Sequence, residues 1–364
     1  MIRRNSMLVA RPFAFAGVLV ATATLAMAQD VDPRDTSPPD QIPEAVQKVV
    51  AFDKAGEKLD EPMNIAYVTE CITNSYCEAR LRGLQDAADK FGFTFKIFDA
   101  NFNPQAQLKH VQNAVQEGFD GYIFAPTADA PACKMWKDYL VPTGKPVVSL
   151  DLTMCGDVDY TEGLAATVTM QSQPYFDFHI ENAFKSACEG KETCTGVSLS
   201  GFAGSDLFTR WENAIDNGLA KYPNVEIVSR TEARFDPGVA RQLTQDALQV
   251  HPDLDFVVSH YDDMTLGAVA AIKAAGLEPG KDVLIFSDAG NKLGMKQIED
   301  GIFNATTLVL PYDESYYAGV AMVMALKGQP LNAYINEKDL PRITDTVGTL
   351  VITKENADKY TPNW

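Results

Sequence analysis

Residues 63–92 read MNIAYVTECITNSYCEARLRGLQDAADKFG. Residues 64–68 form a short apolar run with strand character. From Glu78 to Phe91 the apolar positions recur with a helical period, and Gly92 ends the run. Between strand and helix, Cys71 and Cys77 bracket Asn74 and Tyr76. A strand, a turn and a helix make the opening of a βαβ unit. The chain then repeats the unit, with strands expected at 94–98, 121–124 and 146–150 and helices at 104–117 and 131–139. Leu108, Val111, Ala114 and Val115 make one apolar stripe in the first of these helices. Short apolar strands bounded by turn residues suit a parallel sheet covered on both faces.

The pattern runs a second time. Strands are expected at 196–199, 225–229, 256–259, 283–286 and 306–310. The helices fall at 173–187, 206–222, 238–250, 263–275, 292–300 and 314–327. So many strands suit an α/β chain of two doubly wound parallel-sheet (Rossmann-like) lobes better than a single sheet. A ligand cleft between the lobes would lie at the carboxyl ends of the strands.

Residues 1–28 carry Arg3, Arg4 and Arg11 and no acid, then an apolar stretch over 13–25 and the small-residue site Ala26-Met27-Ala28. They read as a signal peptide cleaved near Ala28, because ~13 apolar residues fall short of the ~20 that span a bilayer. Cleavage would remove three of the 31 basic residues and none of the 49 acids, leaving 336 residues with a formal charge of −21. Such a chain repels phosphate backbones, so nucleic acid is excluded as a partner, and the chain carries no G-x-x-x-x-G-K-[ST] motif. Residues 29–61, rich in Pro and acid, read as a flexible extension with one short helix at 44–52.

All six cysteines survive cleavage, and in an exported chain an even count reads as disulfides. Sequence order suggests Cys71–Cys77, Cys133–Cys155 and Cys188–Cys194, one of 15 possible connectivities. The spacing fits neither a zinc nor a redox motif, and the four histidines are scattered, so no metal is expected. Asp99, Asn101, Asn103 and Gln105 alternate like the start of a calcium loop. Pro104 and His110 occupy the positions of its glycine and closing glutamate, so the segment reads as a loop ending at a helix start.

Candidate ligand contacts sit after the strands. They are Asn74 and Tyr76 after the first, Asp151 after KPVVSL, and Arg210 and Trp211 in the helix after GVSLSGFAGSD. Phe235, Tyr261 and Asp288 follow later strands. Carboxylates accept strong hydrogen bonds from hydroxyls, and aromatic faces cover the C–H faces of a sugar ring. The competing reading is structural, since Asp, Asn and Ser at such positions commonly cap helices.

Taken together, IAYVTECITNSYCEARLRGLQDAADKFG, GKPVVSLDL, SGFAGSDLFTRWENA, the ARFDPGVARQ…HYDDMTLGAVAA region and VLIFSDAG resemble the type I periplasmic solute-binding proteins of ABC importers, in the ribose-binding-like group. The resemblance spans Met63 to about Thr353. It implies an N-lobe of 62–170 plus 310–344 and a C-lobe of 171–309 plus 345–364. Hinge crossings would lie near Gln171, Val309 and Thr344. It implies ligand roles for Asn74, Tyr76, Asp151, Phe235 and Asp288. Five polar positions of the family's pentose site are replaced here, by Ala125, Leu152, Trp211 (with Arg210 adjacent), Tyr261 and Val309, and a stacking aromatic falls on Cys77.

The function so implied is a monomeric periplasmic protein without cofactor or catalytic residues. It would capture a small sugar, polyol or related hydroxylated compound and deliver it to an ABC permease by hinge closure. A chemoreceptor or sensor kinase is a further partner to weigh. The alternative is an exported carbohydrate-active enzyme using Asp151 and Asp288. The replaced positions favour a ligand polar along one edge, such as a deoxy sugar, short polyol or hydroxylated ring, over free ribose. If Arg210 faces the cleft, a sugar acid also fits.

Overall fold

The computed structural model describes residues 35–364, so the signal-peptide expectation lies outside the described residues. In chain order the elements are α1 (Glu44–Ala55), β1 (Met63–Thr69), α2 (Ser75–Phe91), β2 (Phe93–Asp99), α3 (Pro104–Glu117), β3 (Gly121–Phe124), α4 (Asp129–Met135), β4 (Val147–Leu150) and β5 (Ala166–Val168). The second series is α5 (Gln173–Cys188), β6 (Cys194–Ser200), α6 (Asp206–Lys221), β7 (Val225–Glu232), α7 (Pro237–Val250), β8 (Phe256–Ser259), α8 (Asp262–Ala274), β9 (Leu284–Ala289), α9 (Lys292–Glu299) and β10 (Ala305–Leu308). The chain then adds α10 (Pro311–Leu326), β11 (Tyr334–Ile335), α11 (Pro341–Thr344) and β12 (Val351–Ile352).

The helices start where the chain supplies acceptors. Asn74, Asn103, Ser205, Asp236 and Asn291 each take a hydrogen bond from an N–H of the first turn they precede. Two six-stranded sheets result, ordered β11-β5-β4-β3-β1-β2 and β12-β10-β9-β8-β6-β7. Every pairing is parallel except that of β12 with β10. The inner strands β3, β4 and β8 are buried at every residue, as sheets covered on both faces require. The chain passes between the sheets three times: after β5, after β10 and after β11.

Helix α10 returns to the first lobe and packs on α2. Their backbones meet at Gly83, where a Cβ would lie 2.0 Å from the Tyr312 carbonyl oxygen. The segment read as a flexible extension is corrected in its described part. Helix α1 presents Val46, Val49 and Phe52 to the N-lobe core, and Phe52 stacks on Phe91 at 5.9 Å. Burying three apolar side chains offsets the ordering cost that the segment's Pro- and acid-rich composition suggests it could not meet.

The structure pairs the cysteines as Cys71–Cys77, Cys133–Cys155 and Cys188–Cys194. The first bridge closes the loop that carries Asn74 and Tyr76. Peptide mapping without reduction should return these three cross-linked pairs from protein isolated under oxidising conditions. A free thiol at Cys71 or Cys77 would show that the loop is not stapled.

Candidate ligand-binding cleft

The carboxyl ends of the two sets of strands face each other. On the N-lobe side, Glu70 and Cys71 follow β1, Thr127 follows β3, and Asp151 and Leu152 follow β4. On the C-lobe side, β6 leads to Phe202, β7 to Phe235, β8 to His260 and Tyr261, β10 to Val309, and β9 carries Asp288 as its penultimate residue. With Asn74, Tyr76, Phe102 and Gln171 among the other walls, they enclose a cavity of about 70 Å³. Phe102, Asp151 and Phe235 hold left-handed backbone angles, φ 56°, 70° and 55°. Such conformations are costly for non-glycine residues and persist where surrounding packing imposes them. Gly201 makes room for the Phe235 ring, since a Cβ there would lie 2.3 Å from Cζ.

The N-lobe wall is a buried polar network. Tyr76 donates from its hydroxyl to Asp151 Oδ1 at 3.1 Å, and Gln171 Nε2 donates to both, at 2.9 and 3.0 Å. Behind them Arg80 is fully buried. It is paired with Glu70, and its Nη1 stands 3.6 Å from both Asp151 Oδ1 and Glu314 Oε2. Its guanidinium also lies 5.0 Å from the centre of the Tyr76 ring. Burial, then the charge of Asp151, pushes Glu314 up to about 8 against the pull of Arg80.

The C-lobe wall is sparser in partners. Tyr175 donates to Asp288 Oδ1 at 2.5 Å, while Oδ2 is buried with no hydrogen-bond partner among the described residues. Burial holds this carboxyl well above the usual range. His260 lies beside it, with Nε2 4.0 Å from Oδ2. Burial pushes the imidazole down to about 3, so the ring is neutral.

The lobes touch around the cavity. Ser75 meets Tyr261 hydroxyl to hydroxyl at 2.5 Å and donates to Asp263 at 3.1 Å, and the Phe102 and Phe202 rings pack at 5.2 Å. Arg210 of α6 reaches the N-lobe at Thr153 Oγ1, 2.9 Å away. The lobes are in a closed arrangement.

A model of the periplasmic binding protein domain matches residues 65–330. The chain belongs to this family. It is 27% identical to the galactofuranose-binding protein YtfQ of Escherichia coli over 263 residues, covering 70% of this chain and 79% of that one. It is 28% identical to the ribose import binding protein RbsB of Salmonella typhimurium over 274 residues, 74% of this chain and 86% of that one. In structure it is similar to the arabinose-transporter binding protein of Shewanella sp. ANA-3, solved with arabinofuranose bound. The TM-score is 0.68 at 26% identity, with 81% of this chain and 93% of that one covered.

In this periplasmic binding protein, Asn74, Tyr76, Asp151, Phe235, Tyr261 and Asp288 all line the cleft. Asn74 also caps α2, accepting from the Cys77 N–H at 2.8 Å, so the structural and functional readings hold at once. Tyr261 lines the wall while its hydroxyl serves the contact with Ser75.

Two expected residues are elsewhere. Trp211 is fully buried in the C-lobe core, donates to Ser198 Oγ at 2.9 Å and stacks under His260. Position 211 therefore supports the wall and is not part of it. Arg210 is held outside the cavity lining, by the Gln171 carbonyl at 2.6 Å and Thr153. Of the replaced positions, Leu152, Tyr261 and Val309 line the cavity, whereas Ala125 does not.

Sequence reasoning missed Glu70, Phe102, Thr127, Phe202 and His260, and took Gln171 only as a hinge. His260 and Phe202 follow strands just as the chosen residues do, which was the available signal. Phe102 was passed over inside the loop weighed as a calcium site.

Proposed function

We propose that this protein captures a small sugar, polyol or related hydroxylated compound in the interlobe cleft and hands it to an ABC permease after hinge closure, working in the periplasm. The observation that carries this reading is Asp288 Oδ2, a buried acceptor on the cavity wall without a partner among the described residues. Such a group costs about 1–3 kcal/mol if left unsatisfied, so the site is completed by a ligand hydroxyl. Asp151 supplies a second acceptor, already oriented by Tyr76 and Gln171. Phe102, Phe202, Phe235 and Tyr76 supply ring faces and edges for the C–H surface of the ligand. Among the described residues, no lysine or arginine lines the cavity. A neutral ligand is therefore favoured over the sugar acid that an inward Arg210 would have suited. Leu152 and Val309 on its flanks favour one polar edge and disfavour free ribose.

A thermal-shift screen of the mature chain against xylitol, L-arabinose, D-allose, myo-inositol, a deoxy sugar, ribose and a sugar acid tests this. A ligand at a hundred times its Kd adds about 2.7 kcal/mol of apparent stability. Stabilisation by a neutral polyol or sugar other than ribose is expected. Stabilisation by the sugar acid alone, or micromolar binding of ribose, would overturn the ligand class.

The aromatic contact across the cavity should govern release. Phe102→Ala removes the ring that packs on Phe202. Ligand should leave about tenfold faster with little change in association rate, as interface changes usually act on dissociation. Stopped-flow displacement measures this, and an unchanged release rate would show that the Phe102–Phe202 contact does not hold the closed state.

A further inference from the structure

We propose that His260 and Asp288 together grip one ligand hydroxyl, and that His260 is a specificity-determining residue of the cleft. This rests on the reading of the cleft as a sugar or polyol site. Both residues line the cavity, and Asp288 Oδ2 is buried with no hydrogen-bond partner among the described residues. Buried polar atoms are almost always paired, so this acceptor points to a missing group.

The distance says what that group is. Nε2 and Oδ2 stand 4.0 Å apart, too far for a direct hydrogen bond. A single oxygen about 2.8 Å from each closes the gap, with an angle of roughly 90° at that oxygen. A hydroxyl meets the chemistry: it donates to the carboxylate oxygen and accepts from the imidazole N–H. A carbonyl cannot donate, and an ether or a deoxygenated carbon leaves one or both atoms unpaired.

The ring is built to stay in place. It stacks on Trp211 at 4.9 Å and 13°, and meets Phe176 and Phe235 edge-on at 4.9 and 5.3 Å. Tyr175 fixes the carboxylate through Oδ1, which leaves Oδ2 for the ligand. A site preorganised in this way rejects an analogue lacking that hydroxyl far more strongly than it rejects one of slightly altered shape.

The test is titration calorimetry of wild type, His260→Phe and His260→Gln against D-allose, L-arabinose, xylitol and myo-inositol. Phenylalanine keeps the ring packing and removes the nitrogens, whereas glutamine restores an N–H donor. For whichever of the four wild type binds, His260→Phe should weaken binding about tenfold or more, and His260→Gln should recover part of the loss. Equal affinity of wild type and His260→Phe overturns the proposal and leaves the cleft reading standing. Failure of wild type to bind these four and the deoxy sugar of the thermal-shift screen removes the cleft reading, and the proposal with it. Should His260→Phe not fold, the crystal structure of wild type with its bound compound decides. A ligand oxygen within hydrogen-bond distance of both Nε2 and Oδ2 is the expected result, and its absence overturns the assignment.

Discussion

Arg80→Met should destabilise the protein by about 3–5 kcal/mol at neutral pH, because removing one partner of a buried ionic cluster leaves the others uncompensated. Arg80 is fully buried and faces Glu70, Asp151 and Glu314. Glu337, itself pushed up by burial and by Glu314, adds a further acid nearby. The pH dependence gives the test its edge. Glu314 titrates at about 8 in the folded protein against 4.5 for its unperturbed group. A raised folded value means that the folded state holds a proton the unfolded chain has released. Stability from this group is therefore present below about 4.5 and is lost as pH rises toward 8. Removing Arg80 takes away the one cause pulling Glu314 down by charge, so the loss continues to higher pH. Thermal melts of the variant should already lie below wild type near pH 6, and the gap should widen between pH 6 and pH 9, as Glu314 ionises beside Arg80 in wild type and is held protonated without it. A deficit of equal size at both pH values would mean that the charge of Arg80 does not act on Glu314.

Asp288→Asn should weaken ligand binding by about 2–4 kcal/mol, roughly 30- to 1000-fold, while leaving the empty protein as stable or more so at neutral pH. The binding loss follows from Oδ2, the acceptor with no other partner. The stability gain follows from the direction of its shift. Burial raises the folded value well above 3.8, so above that pH the empty folded state is penalised relative to the unfolded chain. Asparagine removes the penalty. Asp151→Ala should also lose binding, but with a stability cost, because it strands Tyr76, Gln171 and Arg80. Calorimetry paired with thermal melts separates the two aspartates. Equal effects of both substitutions on stability would contradict the division into a braced and an open acceptor.

The alternation of strands and helices could be read from residues 64–310 because each strand is a short apolar run and each helix carries its own stripe. Strand ends then pointed to Asp151, Phe235, Tyr261 and Asp288. Strands β5, β11 and β12 are two or three residues long, too short to show a period. At position 211 the difficulty was depth. Trp211 and His260 are stacked one behind the other, and only packing reveals which ring is exposed to the cavity. Phe102 reaches the cavity through a left-handed backbone angle that no residue preference predicts for phenylalanine. Helix α1 was seen, but its docking depended on Phe91, some forty residues away in sequence, a contact that local reading does not reach.

Closure on a neutral hydroxylated ligand is the centre of the account, and small-angle scattering measures it most directly. The mature chain should be titrated with the compound that stabilises it most, alongside Asp288→Asn. The radius of gyration should fall as ligand is added to wild type, because hinge closure brings the lobes into the contacts Ser75–Tyr261 and Phe102–Phe202. In Asp288→Asn the same fall should need at least 30-fold more ligand, on the order set by the lost hydrogen bond. A radius that stays constant while calorimetry reports saturation would contradict capture by hinge closure.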